Sequence, residues 1–205
     1  QIILIITVAY VVCPYLGIHL PDGRKFEKYG AIEYSLTSKK HTEKIELLLQ
    51  EMGSRCDKLV ERSHEIEWPD CEDTPKNVNE TPADRLKKRW SKIRLRETKP
   101  HESTIAYIVN KDYELRICLT DKEEREPEEL NTAMFVILHE LGHMASIKYG
   151  HGPEFWNNFR AILKKAIEIG IYTFRDYSDR STVYCGLSIY STPCDTSECE
   201  QTCNK

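Results

Sequence analysis

Apolar residues fall into three patterns along this chain: a solid block at the start, one stretch of strict alternation, and several stretches with helical spacing. The opening block, IILIITVAYVVCPYLGI from Ile2 to Ile18, runs for seventeen residues without a charge. That is the lower limit for a membrane-spanning helix. A remnant of a secretory signal and a buried core strand are the competing readings. Asp22, Arg24, Lys25, Glu27 and Lys28 follow the block abruptly, and membrane helices tolerate the Pro14 and Gly17 near its end. The expectation is a single-pass transmembrane anchor over residues 1–20, with its orientation unread.

Residues 21–37 read as a loop holding one strand, Ala31 to Leu36. From Thr37 to about His64, Ile45, Leu48, Leu49, Met52, Cys56, Leu59 and Val60 recur at helical spacing behind Ser38 as N-cap. A connector with three prolines covers Trp68 to Pro82. Thr81-Pro82 then opens a second helix, expected to run to about Arg96. Over residues 103–119, Ile105, Tyr107 and Val109 alternate, Asn110-Lys111-Asp112 turns, and Leu115, Ile117 and Leu119 alternate back, which predicts a β-hairpin. After an acidic loop comes a helix of roughly 128–149, apolar all round from Ala133 to Leu138 and therefore buried. Gly150 stops it, and Pro153 opens an amphipathic helix that ends at Gly170. The pattern is that of an α+β fold: a small sheet packed on the buried helix and the helix after it, with further helices on the N-terminal side.

A length of 205 residues with 30% charged positions describes a globular chain with an adequate core. The net charge of -4 makes nucleic acid an unlikely partner. One local exception is the basic helix holding Arg85, Lys87, Lys88, Arg89, Lys92, Arg94 and Arg96, read as a solvated outer face over an apolar stripe rather than as a phosphate-binding surface. Eight cysteines are many for a cytosolic enzyme of this size, and none forms a CxxC, so a zinc ribbon is disfavoured and an oxidising setting preferred. Cys194, Cys199 and Cys203 crowd a short polar tail.

The chemistry concentrates in HELGHMASIKYGHGPEFW, which begins at His139. His139 and His143, four residues apart, share one helix face and can chelate a single metal ion, while Glu140 points aside towards a metal-activated water. His151, just past the Gly150 stop, is the favoured third ligand. Glu154, one turn into the next helix, and the more distant Glu168 are the carboxylate alternatives. Three neutral imidazoles would leave Zn²⁺ with its positive charge, able to acidify a water and polarise a carbonyl. Glu140 would then serve as general base, passing the proton to a leaving amine. Tyr172, Tyr177, Tyr184 and Arg175 are candidates to steady the oxyanion, with no basis for choosing among them.

HELGH, the Gly-His step and HGPEFW resemble the WLM and SprT-like zinc metallopeptidases over roughly residues 100–190. The resemblance implies an HExxH helix beneath a small sheet, Zn²⁺ held by His139, His143 and His151, Glu140 as the catalytic base, and Phe155-Trp156 seating the ligand loop. The gap between His143 and His151 is two residues longer than in many WLM sequences and within the SprT-like range. Relatives of that group also occur in large DNA viruses, which suits a Cys-rich, membrane-anchored version. The division expected is an anchor over 1–20, a helical region over 21–99 with its connector at 68–82, a metallopeptidase core over 100–193, and a Cys-containing tail over 194–205. The partners expected are a protein or peptide substrate and, through the apolar block, a membrane. The rival readings are a non-catalytic membrane-anchored binding or structural protein that keeps the zinc site and a DNA-associated protease, acting on DNA-bound proteins, that uses the basic helix from Arg85 to Arg96.

Overall fold

The computed structural model describes residues 27–29, 32–36, 41–69, 79–98, 103–121 and 126–194. In chain order the elements are β1 (Glu27–Tyr29), β2 (Ile32–Ser35), α1 (Thr42–Glu61), a 3-10 turn (Ser63–Glu65), α2 (Pro82–Trp90), β3 (Arg94–Glu97), β4 (Ala106–Val109), β5 (Glu114–Ile117), α3 (Leu130–Ala145), α4 (Pro153–Glu168), β6 (Thr182–Tyr184) and β7 (Leu187–Ile189). This is a mixed α+β arrangement of small sheets with four α-helices among the described residues.

The larger sheet has the order β1-β2-β3-β5-β4, with β2, β3 and β5 parallel and an antiparallel pair at each end. In the β4–β5 pair, Ala106 and Ile108 lie opposite Ile117 and Leu115, and Tyr107 lies opposite Arg116. Residues directly opposite share a face, so Ala106 and Ile108, not Tyr107 and Val109, join Leu115 and Ile117 on the core side. The shift arises because the turn takes four residues, Asn110 to Tyr113, with Asn110 and Lys111 both at positive φ (53° and 62°). On the other face, Arg96 and Arg116 flank the Glu114 carboxylate, the Arg96 pair at 3.1 Å.

Helix α3 runs through the middle of the core. Ala133, Met134, Ile137, Leu138, Leu141, Met144 and Ala145 are fully buried, and the helix packs against α1, α2, α4 and β4. It is shorter than the expected 128–149. Glu129 caps its start, accepting from the backbone N–H groups of Asn131 (3.0 Å) and Thr132 (2.9 Å). Ser146 ends it in extended backbone, with its hydroxyl donating to the Gly142 carbonyl at 2.8 Å.

Helix α2 is also shorter than expected. Its start follows the sequence signal: Thr81 and Asp84 form a reciprocal cap with Pro82 at the first position. It stops at Trp90, and Arg94–Glu97 form β3 instead of continuing the helix. There Ile93, Leu95 and Arg94, Arg96 alternate with the period of a strand, and pairing to both β2 and β5 overrides the helical preference of the basic residues. Helix α1 begins at Thr42, with His41 rather than Ser38 at the cap position. Residues 37–40 and most of the 68–82 connector lie outside the described residues.

The expectation of a single-pass membrane protein is corrected. No helix among the described residues is long and apolar enough to cross a membrane. The most apolar described helix, α3, is surrounded by other elements of the fold and serves as core. The apolar block over 1–20 itself lies outside the described residues.

A second, two-stranded sheet, β6–β7, has no counterpart in the sequence-based expectations. Tyr184 pairs with Leu187 across a two-residue turn in which Cys185 and Gly186 both take positive φ. A disulfide from Cys185 to Cys118, just past β5, ties this hairpin to the larger sheet. Tyr184 reinforces the tie by donating its hydroxyl to the Cys118 carbonyl. Cys194 is disulfide-bonded as well, and Cys56 is free and buried.

Gly142, inside the HELGH motif, lies where α3 packs tightly on α4. A Cβ there would stand 3.1 Å from Phe155 Cε2 and 3.2 Å from Phe159 Cβ. A branched side chain would force the helices apart. We expect Gly142→Val to lower stability by about 1–3 kcal/mol, read as an earlier urea-unfolding midpoint.

Candidate metal centre

His139 and His143 stand one turn apart on the last two turns of α3, their ring centroids 5.1 Å apart. The chain leaves α3 at Ser146 and turns at Gly150, whose φ of 81° suits glycine. It thereby returns His151 to the same place. The His151 centroid lies 4.9 Å from that of His139 and 4.8 Å from that of His143. One ligand atom from each of the three rings lies within 4.8 Å of the others.

Helix α4 seats the cluster. Phe155, itself buried, stacks on His143 at 4.2 Å and meets His139 and His151 edge-on at 4.8 and 4.7 Å. Trp156 flanks His151 at 5.8 Å. The aromatic pair anticipated for the ligand loop thus touches the imidazoles directly.

The donor set fits a cation. His139 and His151 bring their Nε2 atoms to 3.0 Å of each other. In a tetrahedral site with metal–nitrogen bonds of about 2.0–2.1 Å, neighbouring nitrogens stand roughly 3.3 Å apart, so the cluster is near that spacing. Burial, reinforced by the neighbouring imidazoles, pushes His139 down to about 3. Burial, His151 and the Lys111 ammonium push His143 down to about 4. Both rings are therefore neutral near pH 7, with lone pairs available. Nitrogen-only ligation by imidazoles suits zinc among other first-row metals.

Glu140 is buried next to them, and loss of solvation pushes its carboxyl up to about 8. A cleft of about 280 Å³ joins Glu140 and the three imidazoles to Ala106, Tyr107 and Ile108 of β4. Among the described residues β4 is the strand that ends the larger sheet, and three of its four residues line this cleft. A larger cavity, about 630 Å³, opens on another side of His139 between the aromatic wall of Phe135, Trp156 and Phe159 and residues Ile189 and Tyr190 at the end of the β6–β7 hairpin.

The carboxylate alternatives for a third ligand are placed elsewhere. Glu154 turns towards the loop before His151, where its two oxygens accept from the N–H groups of Ile147 (2.7 Å) and Lys148 (3.0 Å), with Arg85 at 3.7 Å. Glu168, at the far end of α4, pairs with Lys165 at 2.7 Å. The four oxyanion candidates are also absent from the cleft lining. Tyr184 is committed to the Cys118 carbonyl. Tyr172 and Tyr177 pack on Phe135, and Arg175 lies over the Tyr177 ring and near Glu129. The tyrosines that do line the cleft are Tyr107 and Tyr149. Their signal in the sequence was position: one on the predicted edge hairpin, one two residues before His151.

No family model matches the chain. It is 33% identical over 101 residues to an uncharacterized protein of Acanthamoeba polyphaga mimivirus, a match covering 49% of this chain and 51% of that protein. Uncharacterized proteins of Invertebrate iridescent virus 6 and Invertebrate iridescent virus 3 match at 30% over 78 residues and 34% over 86 residues, covering 37% and 42% of this chain and 43% and 52% of theirs. The chain thus spans about half the length of the viral relatives it matches. Among solved structures it is similar to Wss1 from Saccharomyces cerevisiae, with a TM-score of 0.49 and 15% identity over 71% of this chain and 95% of that one. A mutant of Wss1 matches with a TM-score of 0.48, 16% identity and coverage of 71% and 100%. A likeness this loose assigns no activity.

Phe155 is the side chain on which all three imidazoles rest. We expect Phe155→Ala to cost about 3–5 kcal/mol of folding stability, measured by chemical denaturation of the metal-free protein.

Proposed function

We propose that the chain is a zinc-dependent metallopeptidase, with residues 100–193 as its catalytic unit, His139, His143 and His151 as metal ligands and Glu140 as general base. The observation that carries this reading is the meeting, in one cleft, of three imidazoles, a desolvated carboxyl and the strand that ends the larger sheet among the described residues. Three protein ligands leave a tetrahedral metal one position for chemistry, the arrangement of catalytic rather than structural zinc.

When bound, Zn²⁺ supplies Lewis acidity, stabilising negative charge on a carbonyl oxygen and making a water easier to deprotonate. The residues of the chain do the rest. The outer edge of β4 takes an extended polypeptide by strand addition and lays its backbone across the cleft. Glu140 accepts the proton of the attacking water. Burial favours the protonated form of this carboxyl in the metal-free site, and the positive charge of a bound cation would favour the carboxylate that accepts the proton. It then delivers the proton to the departing amine. Neighbouring substrate side chains alternate in direction, and one of them reaches the aromatic cavity beyond His139.

The substrate class proposed is therefore protein or peptide. Within the basic segment 85–96, Arg85 and Arg96 are buried, while the exposed Lys88 pairs with Glu80 at 2.5 Å and the exposed Lys92 with Asp112 at 3.7 Å.

Two variants test the assignment. Glu140→Gln should lower hydrolysis of an unfolded protein such as casein by about 10²–10⁴-fold while one zinc per chain is retained. Full activity in that variant would refute the mechanism, and a wild type with zinc but no hydrolysis would leave a metal-binding protein without catalysis. His151→Ala should lose stoichiometric zinc by elemental analysis, and retention would remove His151 from the ligand set.

A further inference from the structure

The segment from Ser146 to Gly152 has neither helix nor strand, yet it carries His151 from the end of α3 to its two partners. An exposed loop with Gly150 and Gly152 on either side of the ligand should wander. Its backbone is held instead by three cations from distant parts of the chain. Five consecutive carbonyls, Met144 to Lys148, each accept from at least one of them, and that of Ser146 from two. Arg85 Nε donates to the Ala145 oxygen at 2.8 Å. Arg89 Nη1 donates to the oxygens of Met144 and Ser146, the latter at 2.8 Å. Lys111 Nζ donates to Ser146, Ile147 and Lys148 at 2.9, 2.8 and 2.8 Å, which uses all three of its protons. Its ammonium also lies 4.4 Å from the ring centre of Tyr149. From the opposite side, Glu154 takes the N–H groups of Ile147 and Lys148.

Burying these charges is unfavourable. Lys111 is pushed down to about 8, chiefly by lost solvation, and Arg85 and Arg89 are lowered for the same reason. The offset comes from the carbonyls at the negative end of α3, which would otherwise lack donors, and from Glu154. Terminating a helix at the surface needs no such assembly, because water serves. The arrangement makes sense for a loop whose far end must stay in register with α3. Lys111 itself sits in the β4–β5 turn at positive φ, so the strand edge, the ligand loop and α2 converge on one point.

We propose that Arg85, Arg89, Lys111 and Glu154 are positioning residues for the third metal ligand, fixing the loop so that the His151 imidazole meets those of His139 and His143. This rests on the reading that the three histidines bind a metal. Lys111 lines the same cleft as the histidines and its charge bears on His143, but all three of its protons go to the loop carbonyls, so the four act through the backbone that carries His151.

The test is a zinc-affinity titration of the full chain against a competing chelator dye, with thermal unfolding of each metal-free variant as the check on folding. Lys111→Met should weaken zinc binding by about 10–100-fold, the range for residues that orient a ligand. Lys111→Arg, which keeps the cation, should recover most of that loss. In a His151→Ala background Lys111→Met should change affinity no further, because the ligand it positions is gone. Wild-type affinity in Lys111→Met, or an equal loss with and without His151, would overturn the proposal and leave a general role in stability. If Lys111→Met does not fold, Arg89→Met takes its place, with the same expected loss and the same dependence on His151. A wild-type chain that binds no zinc would overturn both the metal reading and this one, whereas tight wild-type binding with indifferent clamp variants would overturn this one alone.

Discussion

Burying one helix on every side is the constraint from which the rest of this structure follows. Helix α3 meets α1, α2, α4 and β4, so it has no solvated face on which polar side chains could be placed at little cost. Polar groups inside such a helix must find partners or a use. Its ends need partners too. The N-terminal amides are met by the Glu129 carboxylate, and the C-terminal carbonyls by arginines and a lysine from other segments. His139, Glu140 and His143 are the polar side chains it presents where β4 and the returning loop leave a cleft.

The same burial sets their chemistry. Desolvation keeps the two helix imidazoles neutral and makes the carboxylate hold its proton more tightly. Phe155 extends this apolar environment to His151, although that ring sits on an exposed loop. Geometry and electrostatics at the cluster therefore have one source, the close contact of α3 and α4 across Gly142.

What could be read from the chain was local. The His139–His143 spacing, the start of α4 at Pro153 and the capping of α2 at Thr81 each depend on a few neighbouring residues, and each is where the pattern puts it. What escaped depends on partners far along the chain. Arg94 and Arg96 look like one face of a helix until β2 and β5 pair with them. Arg85 and Arg89 look like solvated charges until the end of α3 arrives beneath them. Lys111 looks like a turn residue, and its reach to a loop 35 residues later has no trace in spacing. The length of α3 was overestimated because Ser146-Ile147-Lys148-Tyr149 has ordinary helical composition. The competing donors that pull its carbonyls outward come from elsewhere. The membrane reading rests on the apolar block over 1–20 and the charges that follow it, whereas no helix among the described residues is long and apolar enough to cross a membrane.

The bond between Cys118 and Cys185 closes a loop of chain with a sequence separation of 67, and His139, Glu140, His143 and His151 all lie inside it. Its significance reaches beyond the hairpin it anchors, because it acts on the unfolded chain as well as the folded one. With the ring intact, an unfolded chain keeps its histidines within one closed circuit, and the chain-entropy model puts the resulting bias towards the native state at about 4 kcal/mol. Reduction opens that circuit. The readiness of the histidines to reassemble after unfolding is thereby coupled to the thiol chemistry of the surroundings, through a bond that touches none of them.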